Sequence, residues 1–270
     1  MPDRYTVIGH PVTHSKSPDI HTRFAAQTRQ DLHYERLLAP LDGFNDTVRS
    51  FQEAGGKGAN VTVPFKLEAY ALSDSLTGRA RAAGAVNTLK FEDGMILGDN
   101  TDGVGLVTDI VRNAGVMLRG RKVLVLGAGG AARGVLLPLL EQRPSQLVLV
   151  NRTRSKAEEL ALQFASEGKI VAGDFAGLGQ VFDVVINATS ASLQGDMLPV
   201  PPVVFSPTTF AYDMMYGKEP TAFMCFARQH GAAIRDGLGM LVEQAAESFF
   251  VWRGVRPDTA PVYDALRAGL

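Results

Sequence analysis

The sequence predicts an α/β protein with two domains, each built on a sheet of mostly parallel strands. Short apolar runs alternate with amphipathic helical patterns along the chain, which is typical of βαβ units. One of these runs, 122–126, passes into a glycine-rich turn and then a helix, as at the start of a Rossmann-like domain. The polar, turn-rich segment 98–103 marks the best boundary between the domains, near Asp102.

The first domain is expected to span residues 1–102. Its strands are predicted at 5–8, 33–39 and 59–63, and its helices at 18–28 and 41–54. Each strand is a short apolar run, and each helix carries apolar residues at helical spacing. The alternation of the two patterns supports a layered α/β arrangement.

The second domain is expected to span residues 103–239. It begins with a helix at 104–113, followed by strands at 122–126, 147–150, 170–172, 184–186 and 210–214 and a helix at 221–230. The last long helix, 238–252, has apolar side chains at the i, i+3, i+4 and i+7 positions of one face. We expect residues 240–270 to return to the first domain.

The composition excludes several classes of protein. Of the 270 residues, 46% are hydrophobic, which is enough for one large or two modest cores. A formal net charge of −1 lacks the basic footprint of a nucleic-acid-binding protein. The five histidines show no metal-ligand spacing, and the single Cys225 cannot form an internal disulfide, which fits the reducing cytoplasm. No signal peptide or membrane span is predicted.

The turn after the predicted strand 122–126 carries a dinucleotide-binding fingerprint. Gly127-x-Gly129-x-x-Ala132 matches G-x-G-x-x-G/A between a strand and a helix, the context that this fingerprint requires. Its glycines let the N–H groups of a helix approach a pyrophosphate. A tight turn that needs small residues is the alternative explanation, and the strands on schedule before and after it favour the cofactor.

The segment after the next predicted strand indicates which dinucleotide binds. A site that prefers NAD places an acidic residue there for the ribose 2′-hydroxyl. Segment 151–156 instead holds three cations, Arg152, Arg154 and Lys156. Ser155 and Glu158 have the spacing of a capping box, so we expect the cations to crowd a helix N-terminus, where a 2′-phosphate offsets their unfavourable interaction with the dipole. NADP is favoured over NAD, with a solvated basic loop as the alternative.

Two serines near the N-terminus suggest an anion site. Ser15 and Ser17 are two residues apart, so their hydroxyls face the same way if the segment is extended. They precede a helix expected to begin at Pro18, where the N–H groups and the dipole favour a substrate carboxylate. Alternatively, Ser17 only caps that helix.

A lysine and an aspartate are the candidates for proton transfer. Lys66 follows Pro64 in the first turn of a predicted helix, whose positive end is expected to lower the lysine pKa toward neutrality. It would then exchange a proton near neutral pH, although a lysine in this position is also explained by solvation alone. Asp102 either caps the helix that begins near Gly103 or holds Lys66 by a charge-assisted hydrogen bond. The spacing does not show whether the two meet.

Nine motifs together give the chain a specific resemblance. They occur in the order HSKSP (14–18), NVTVPFK (60–66), GAVNT (84–88), GDNTDG (98–103), GAGGAAR (127–133), NRTRSK (151–156), NATS (187–190), DMMYGKEPT (213–221) and DGLGMLVEQ (236–244). With this set the chain resembles the shikimate dehydrogenase family from Gly9 to about Gln244. One departure is His21-Thr22, where the family often has His-Asn.

The resemblance implies roles for individual residues. Lys66 and Asp102 match the catalytic pair of the family, and Ser15 and Ser17 match its binding site for the substrate carboxylate. The positions that match contacts to the ring hydroxyls or the keto group are Thr62, Asn87, Asp102, Tyr216 and Gln244. The positions that match the NADP-binding loops are Gly127, Ala128, Gly129, Gly130 and Ala131, then Asn151, Arg152, Thr153, Arg154 and Lys156. Those that match the nicotinamide side are Thr189, Met214 and Gly237.

The resemblance also implies an activity. It is the NADP(H)-dependent interconversion of 3-dehydroshikimate and shikimate, in the shikimate pathway of aromatic amino acid biosynthesis. We expect the cleft between a substrate domain and an NADP-binding Rossmann-like domain to hold the nicotinamide and the ketone. The expected protein is cytoplasmic, a monomer or homodimer, and binds a small molecule rather than nucleic acid or membrane. There are two rival hypotheses. One is a quinate/shikimate dehydrogenase that uses NAD or both cofactors, and the other is a non-catalytic NADPH-binding sensor built on the same fold.

Overall fold

The computed structural model describes residues 2–189, 191 and 198–270. The chain divides into two compact units. Unit 1 comprises Met1–Gly105 and Val242–Leu266, and unit 2 comprises Leu106–Leu241 and Arg267–Leu270. Each unit contains a six-stranded sheet in the described part of the chain. Ser190, the last residue of the NATS motif, lies outside the described residues.

Unit 1 is an α/β layer structure with a mixed sheet in the order β2-β1-β3-β5-β6-β4. Its strands are β1 (Asp3–Gly9), β2 (Leu32–Leu38), β3 (Gly56–Val61), β4 (Ser75–Leu76), β5 (Thr88–Glu92) and β6 (Met95–Asp99). Its helices are α1 (Ser17–Thr28), α2 (Phe44–Glu53), α3 (Lys66–Leu72) and α4 (Gly78–Ala83). Strands β1, β2 and β3 are parallel, whereas β5 is antiparallel to both β3 and β6.

The β5–β6 hairpin is an addition to the predicted elements. Its turn contains Asp93 and Gly94, with φ of 50° and 78°. Two consecutive residues with positive φ match the right-handed twist of the flanking strands, and Asp-Gly is one of the strongest short hairpin signals in a sequence. The signal for this hairpin was therefore present in the sequence. The hairpin makes β5 antiparallel to its two neighbours in an otherwise parallel sheet.

Unit 2 is a parallel α/β sheet in the order β12-β11-β10-β7-β8-β9. Its strands are β7 (Lys122–Leu126), β8 (Gln146–Val150), β9 (Ile170–Gly173), β10 (Val184–Asn187), β11 (Phe210–Asp213) and β12 (Ala233–Asp236). Its helices are α6 (Gly130–Glu141), α7 (Arg154–Gln163) and α8 (Ala222–Gln229). The sequence did not predict β12, because this edge strand is short and only partly buried.

The chain passes from one unit to the other within three helices, α5 (Asp102–Thr108), α9 (Leu238–Arg253) and α10 (Ala260–Ala268). After α5 the chain forms a π-helical turn, Asp109–Asn113, where a continuous α-helix had been predicted. Asp109 is fully buried and accepts hydrogen bonds from Arg235 at 2.8 and 2.6 Å and from the Tyr212 hydroxyl at 2.8 Å. These hydrogen bonds tie the first residue of the π-helical turn to β11 and β12. A short helix, α10 (Ala260–Ala268), follows α9.

The core of unit 1 has two faces because side chains alternate along its strands. On β1, Ile8 packs in the same cluster as Phe44 of α2. Tyr5 and Val7 pack with Trp252 of α9 on the other face. The polar side chains of unit 1 that are described below lie around the carboxyl ends of β1 and β3. None of the helices in the described part of the chain is long and apolar enough to cross a lipid bilayer.

Candidate active site

A lysine–aspartate pair lies in unit 1. Lys66 is the first residue of α3, and Asp102 is the first residue of α5, directly after the loop that follows β6. The Lys66 Nζ donates a hydrogen bond to the Asp102 Oδ2 over 2.5 Å. The side chains are 24% and 10% exposed, so the ion pair is largely shielded from water. The two residues, 36 positions apart in the sequence, do meet.

The second oxygen of Asp102 is also engaged. Asn87 Nδ2 donates to Asp102 Oδ1 over 2.8 Å, and Asn87 Oδ1 accepts the N–H of Thr101 over 2.9 Å. Gln244 Oε1 accepts from Asn87 Nδ2 over 3.3 Å and from the Thr101 hydroxyl over 3.4 Å. Lys66, Asn87, Asp102 and Gln244 therefore form one cluster, which we call the Lys66 cluster.

Helix capping does not account for Asp102. The side chain of Asn100 accepts the backbone N–H of Asp102 over 3.2 Å at the start of α5. Asn100 Nδ2 also donates to the carbonyl of Ala85 over 3.0 Å, which anchors the loop. The Asp102 carboxylate is thus directed to Lys66 and Asn87, which favours the positioning interpretation of Asp102 over the capping one.

A fixed polar network lies behind the Lys66 cluster. Asn60, for which the sequence predicted no role, accepts hydrogen bonds from the Tyr34 hydroxyl (2.7 Å) and from His21 Nε2 (3.2 Å) through its Oδ1. Its Nδ2 donates to the carbonyl of Asn87 (3.3 Å) and to the Ser248 hydroxyl (3.0 Å). A polar residue within an otherwise apolar strand end was the available signal, because such a residue must find partners when buried.

His21 is a neutral part of this network. Burial lowers the pKa of His21 to about 3, and the hydrogen bond with Asn60 offsets only part of this shift. Its ring stacks on Tyr34 with 4.4 Å between centroids. His21 is therefore uncharged near neutral pH and contributes packing rather than proton exchange.

The two serines lie beside α1. The Ser15 and Ser17 hydroxyl oxygens are 3.1 Å apart, and Ser15 Oγ accepts the N–H of Ser17 over 3.3 Å. The helix begins at Ser17, with Lys16 in the N-cap position and no side-chain cap bond there. The suggestion that Ser17 caps a helix beginning at Pro18 is therefore wrong. Two close hydroxyls at a helix N-terminus suit the two oxygens of a carboxylate.

Thr62 lies beside Gly9, where the segment that carries Ser15 and Ser17 begins. We call residues 10–17 the serine segment. A Cβ built on Gly9 would clash with Thr62 Cγ2, so Gly9 is needed for this close approach. The N–H of Thr62 bonds to the carbonyl of Ile8 over 2.9 Å. Strand pairing thus holds the ends of β1 and β3 together, with the serine segment following one and Lys66 following the other.

The glycine turn of unit 2 has the shape that a pyrophosphate needs. Gly127 has φ of +100°, and a Cβ there would be 2.7 Å from Thr189 Cγ2. By contrast, Cβ atoms built on Gly129 and Gly130 would meet no described atom within 4 Å. Helix α6 begins at Gly130, and its N-cap residue, Gly129, supplies no side-chain acceptor for the first N–H groups of the helix. The site therefore fits the pyrophosphate of a dinucleotide.

Asn151 links this turn to the basic segment. Its Oδ1 accepts the N–H of Ala128 over 3.3 Å, and its Nδ2 donates to the carbonyl of Thr153 over 2.9 Å. Ala131, in the first turn of α6, completes the glycine segment. One side chain therefore positions the turn against the loop that follows β8.

The predicted capping box of this loop is wrong. Helix α7 begins at Arg154, and Thr153 in the N-cap position makes no side-chain cap bond. Glu158 instead pairs with Arg154 over 2.7 Å, an i,i+4 contact between two exposed side chains. The hydrogen bond with Glu158 raises the pKa of Arg154, which stays charged. Arg154 and Glu158 are one helical turn apart, so Glu158 forms a salt bridge with Arg154 instead of the predicted capping box with Ser155. Arg152 and Lys156 are exposed beside it.

Three further predicted residues meet at the carboxyl ends of β10, β11 and β12. The Thr189 hydroxyl donates to Asn187 Oδ1 over 2.8 Å, and the N–H of Met214 bonds to the carbonyl of Asn187 over 3.0 Å. A Cβ on Gly237 would overlap the carbonyl oxygen of Met214, so only glycine fits. Ligands bind at these ends in open parallel sheets.

Tyr216 belongs to unit 2, after β11. Burial raises the pKa of its hydroxyl, and the negative charge of Asp236 acts in the same direction. Asp236 is itself paired with Arg267 over 2.5 Å. The hydroxyl of Tyr216 therefore remains protonated at neutral pH and is able to donate a hydrogen bond.

Comparison with known protein families covers most of the chain. A model described as the shikimate dehydrogenase substrate binding domain matches residues 7–89. One described as shikimate / quinate 5-dehydrogenase matches residues 109–194, and one for the shikimate 5′-dehydrogenase C-terminal domain matches residues 237–267.

Individual relatives match along the full length. A protein of Herminiimonas arsenicoxydans named shikimate dehydrogenase (NADP(+)) is 67% identical over 270 residues, covering 100% of this chain and 99% of its own. The crystal structure of an Ael1 enzyme from Pseudomonas putida is 50% identical, with a TM-score of 0.94 and 98% of both chains covered. Shikimate 5-dehydrogenase from Thermus thermophilus, solved with NADP(H) and shikimate, is 32% identical, with a TM-score of 0.89 and 99% and 100% of the chains covered.

Proposed function

The chain belongs to the shikimate dehydrogenase family, and we propose that it catalyses the reversible, NADPH-dependent reduction of 3-dehydroshikimate to shikimate. The observation that carries this proposal is the Lys66–Asp102 pair, with its 2.5 Å contact and with Asn87 on the second carboxylate oxygen. A proton donor held at a fixed place is what ketone reduction requires of the protein. We place the enzyme in the shikimate pathway of aromatic amino acid biosynthesis, in the cytoplasm.

The reaction needs a hydride and a proton. NADPH, when bound, supplies the hydride to the carbonyl carbon. Lys66 supplies the proton to the carbonyl oxygen, and in the oxidation direction it accepts the proton of the hydroxyl. Because one N–H of its ammonium group is directed to Asp102, two remain for oxygens of the substrate. Asp102 restrains Lys66, and Asn87 restrains Asp102.

The remaining predicted residues would bind and orient the two ligands. Ser15 and Ser17 would hold the substrate carboxylate, while Thr62, Tyr216 and Gln244 would contact ring oxygens. Residues 127–131 would hold the cofactor pyrophosphate and segment 151–156 the 2′-phosphate. Orientation of this kind removes part of the entropic barrier to reaction.

The test is oxidation of shikimate by the purified protein with NADP and, separately, with NAD, followed by the absorbance of the reduced cofactor. We expect turnover with NADP and a kcat/KM that exceeds the value for NAD by roughly 10- to 100-fold, since a charge-assisted contact contributes ~1.5–3 kcal/mol. Quinate is assayed in parallel as the competing substrate.

Two results would contradict the proposal. Higher kcat/KM with quinate and NAD would assign the chain to quinate oxidation. Tight NADPH binding without turnover of shikimate would indicate a cofactor sensor. Against the sensor stands the complete Lys66 cluster, whose buried polar contacts a binding protein would not need.

A further inference from the structure

An arginine on the edge strand of unit 1 holds the serine segment. Arg36 lies in β2, and its Nε and Nη2 donate to the carbonyl oxygen of Ser15 over 3.1 and 2.6 Å. Strand β2 pairs with β1 in parallel, and Arg36 lies opposite Val7 in this pairing. The backbone of Arg36 is therefore fixed by the sheet. Its side chain is exposed, and its guanidinium group is nonetheless held by these two bonds.

This contact completes the restraint of Ser15. The N–H of Ser15 bonds to the carbonyl of Val12 over 3.1 Å, and its hydroxyl oxygen accepts the N–H of Ser17 over 3.3 Å. With Arg36 on the carbonyl, all three polar groups of Ser15 have a partner in the protein. The orientation of the peptide that carries the Ser15 hydroxyl therefore depends on Arg36.

Arg36 also brings a permanent positive charge to this segment. A carboxylate bound to the Ser15 and Ser17 hydroxyls would lie within roughly 8 Å of the guanidinium group, which is comparable to the screening length at physiological salt. Two carboxylates close to this site in the sequence have other partners, because Glu35, next to Arg36, pairs with Arg4 over 2.8 Å and Asp19, two residues after Ser17, pairs with Arg23 over 2.9 Å.

Two hydroxyls bind a carboxylate without offsetting its charge. A cation held close to the two hydroxyls adds to the attraction of the helix N-terminus for that charge, and Arg36 is hydrogen-bonded to the backbone of Ser15. We propose that Arg36 is a specificity-determining residue of the substrate site, which favours a substrate that bears a carboxylate over a neutral analogue. The proposal rests on the proposed function of Ser15 and Ser17 as the carboxylate site.

The experiment compares shikimate with its methyl ester, which keeps the ring and hydroxyls but lacks the negative charge. We measure kcat and KM for both substrates with NADP for the wild type, Arg36→Met and Arg36→Lys. Arg81→Met is the matched control, because Arg81 is also exposed and also donates to a backbone carbonyl, that of Leu76, beside the opposite edge of the same sheet. Intrinsic fluorescence of Trp252, the single tryptophan, checks that each variant is folded.

We expect Arg36→Met to lower the acid-to-ester ratio of kcat/KM on the order of three- to thirtyfold, the range for unit charges about 8 Å apart near a protein surface with and without screening by salt. The change is expected mainly in KM for shikimate. Arg36→Lys restores much of the ratio, and Arg81→Met leaves it unchanged. Raising the salt concentration lowers the ratio of the wild type more than that of Arg36→Met.

The outcomes separate the two proposals. Suppose that the wild type oxidises shikimate but that Arg36→Met lowers kcat/KM for the acid and for the ester by the same factor. Arg36 then only orients Ser15, and the specificity role is overturned. An unchanged ratio in Arg36→Met overturns it as well. If the wild type does not oxidise shikimate at all, the proposed function fails, and the inference about Arg36 fails with it.

Discussion

Replacement of Lys66 and Asp102, singly and together, tests the chemistry most directly. Lys66→Met removes the proton donor and keeps the length of the side chain. We expect kcat to fall by ~10²–10⁴-fold, the usual contribution of general acid–base catalysis. KM should change far less, because the serines, Thr62 and Gln244 would still bind the substrate.

The effect of Asp102→Asn follows from the two contacts of the carboxylate. Lys66 donates to one oxygen over 2.5 Å and Asn87 donates to the other over 2.8 Å. An asparagine has a single side-chain oxygen, so one of these donors must face an amide N–H instead. Loss of one charge-assisted hydrogen bond corresponds to ~1.5–3 kcal/mol, or roughly a 10- to 100-fold loss of kcat.

The double variant shows whether the two residues act as a unit. If Asp102 acts by holding Lys66, then Lys66→Met with Asp102→Asn should be no slower than Lys66→Met alone. Single-turnover oxidation of NADPH by 3-dehydroshikimate is the appropriate assay, because slow product release does not mask the chemical step. Lys57→Met is the control, since Lys57 is an exposed lysine of β3 in the same unit.

Two results would refute this reasoning. Retention of more than about a tenth of wild-type turnover by Lys66→Met would remove it from proton transfer. Losses that simply multiply in the double variant would show that Asp102 acts on the substrate independently of Lys66.

Three further predictions concern the cofactor, the buried histidine and the nicotinamide side. Arg152→Ala with Arg154→Ala should raise the Kd for NADPH by roughly 10- to 100-fold and leave that for NADH nearly unchanged in fluorescence titrations; equal losses would argue against a 2′-phosphate site. Because burial lowers the pKa of His21 to about 3, the unfolded chain binds more protons between about pH 6.5 and 3. The free energy of unfolding should therefore decline as the pH falls through this window, by at most about 1.4 kcal/mol per pH unit for this group. Thermal unfolding of His21→Gln should show a shallower decline, whereas His33→Gln, at an exposed position, should match the wild type; identical slopes for all three would contradict the assignment. Gly237→Ala should reduce kcat at least about tenfold while NADPH still binds, because a Cβ there displaces the backbone carbonyl of Met214; unchanged kcat would exclude this position from the site.

Local patterns predicted the cofactor half well for a physical reason. A strand with four buried residues, a turn with positive φ at Gly127 and a helix that begins at Gly130 are all specified within ten residues. The strand β7 was predicted with both ends correct, since four consecutive residues of it are completely buried and form an unbroken apolar run. Helix capping was less predictable. Glu158 has helical spacing both from Ser155, its predicted partner in a capping box, and from Arg154, with which it forms a salt bridge.

The substrate half depended on contacts that no local pattern contains. Asn60 gained its importance from Tyr34, Asn87 and Ser248, the last of them 188 residues away. Likewise, Arg36 reaches the carbonyl of Ser15 only because β2 pairs with β1 in one particular register.

The sequence by itself determined the alternation of strands and helices, the glycine turn, the basic segment after β8 and the family to which these motifs belong. Each of these is a property of neighbours along the chain, where spacing and residue type suffice. Only the tertiary structure decided that Lys66 meets Asp102, that Asn87 occupies the second carboxylate oxygen, and that Arg36 restrains Ser15. Those contacts depend on strand order and register, which are set by the packing of the whole sheet rather than by any single segment.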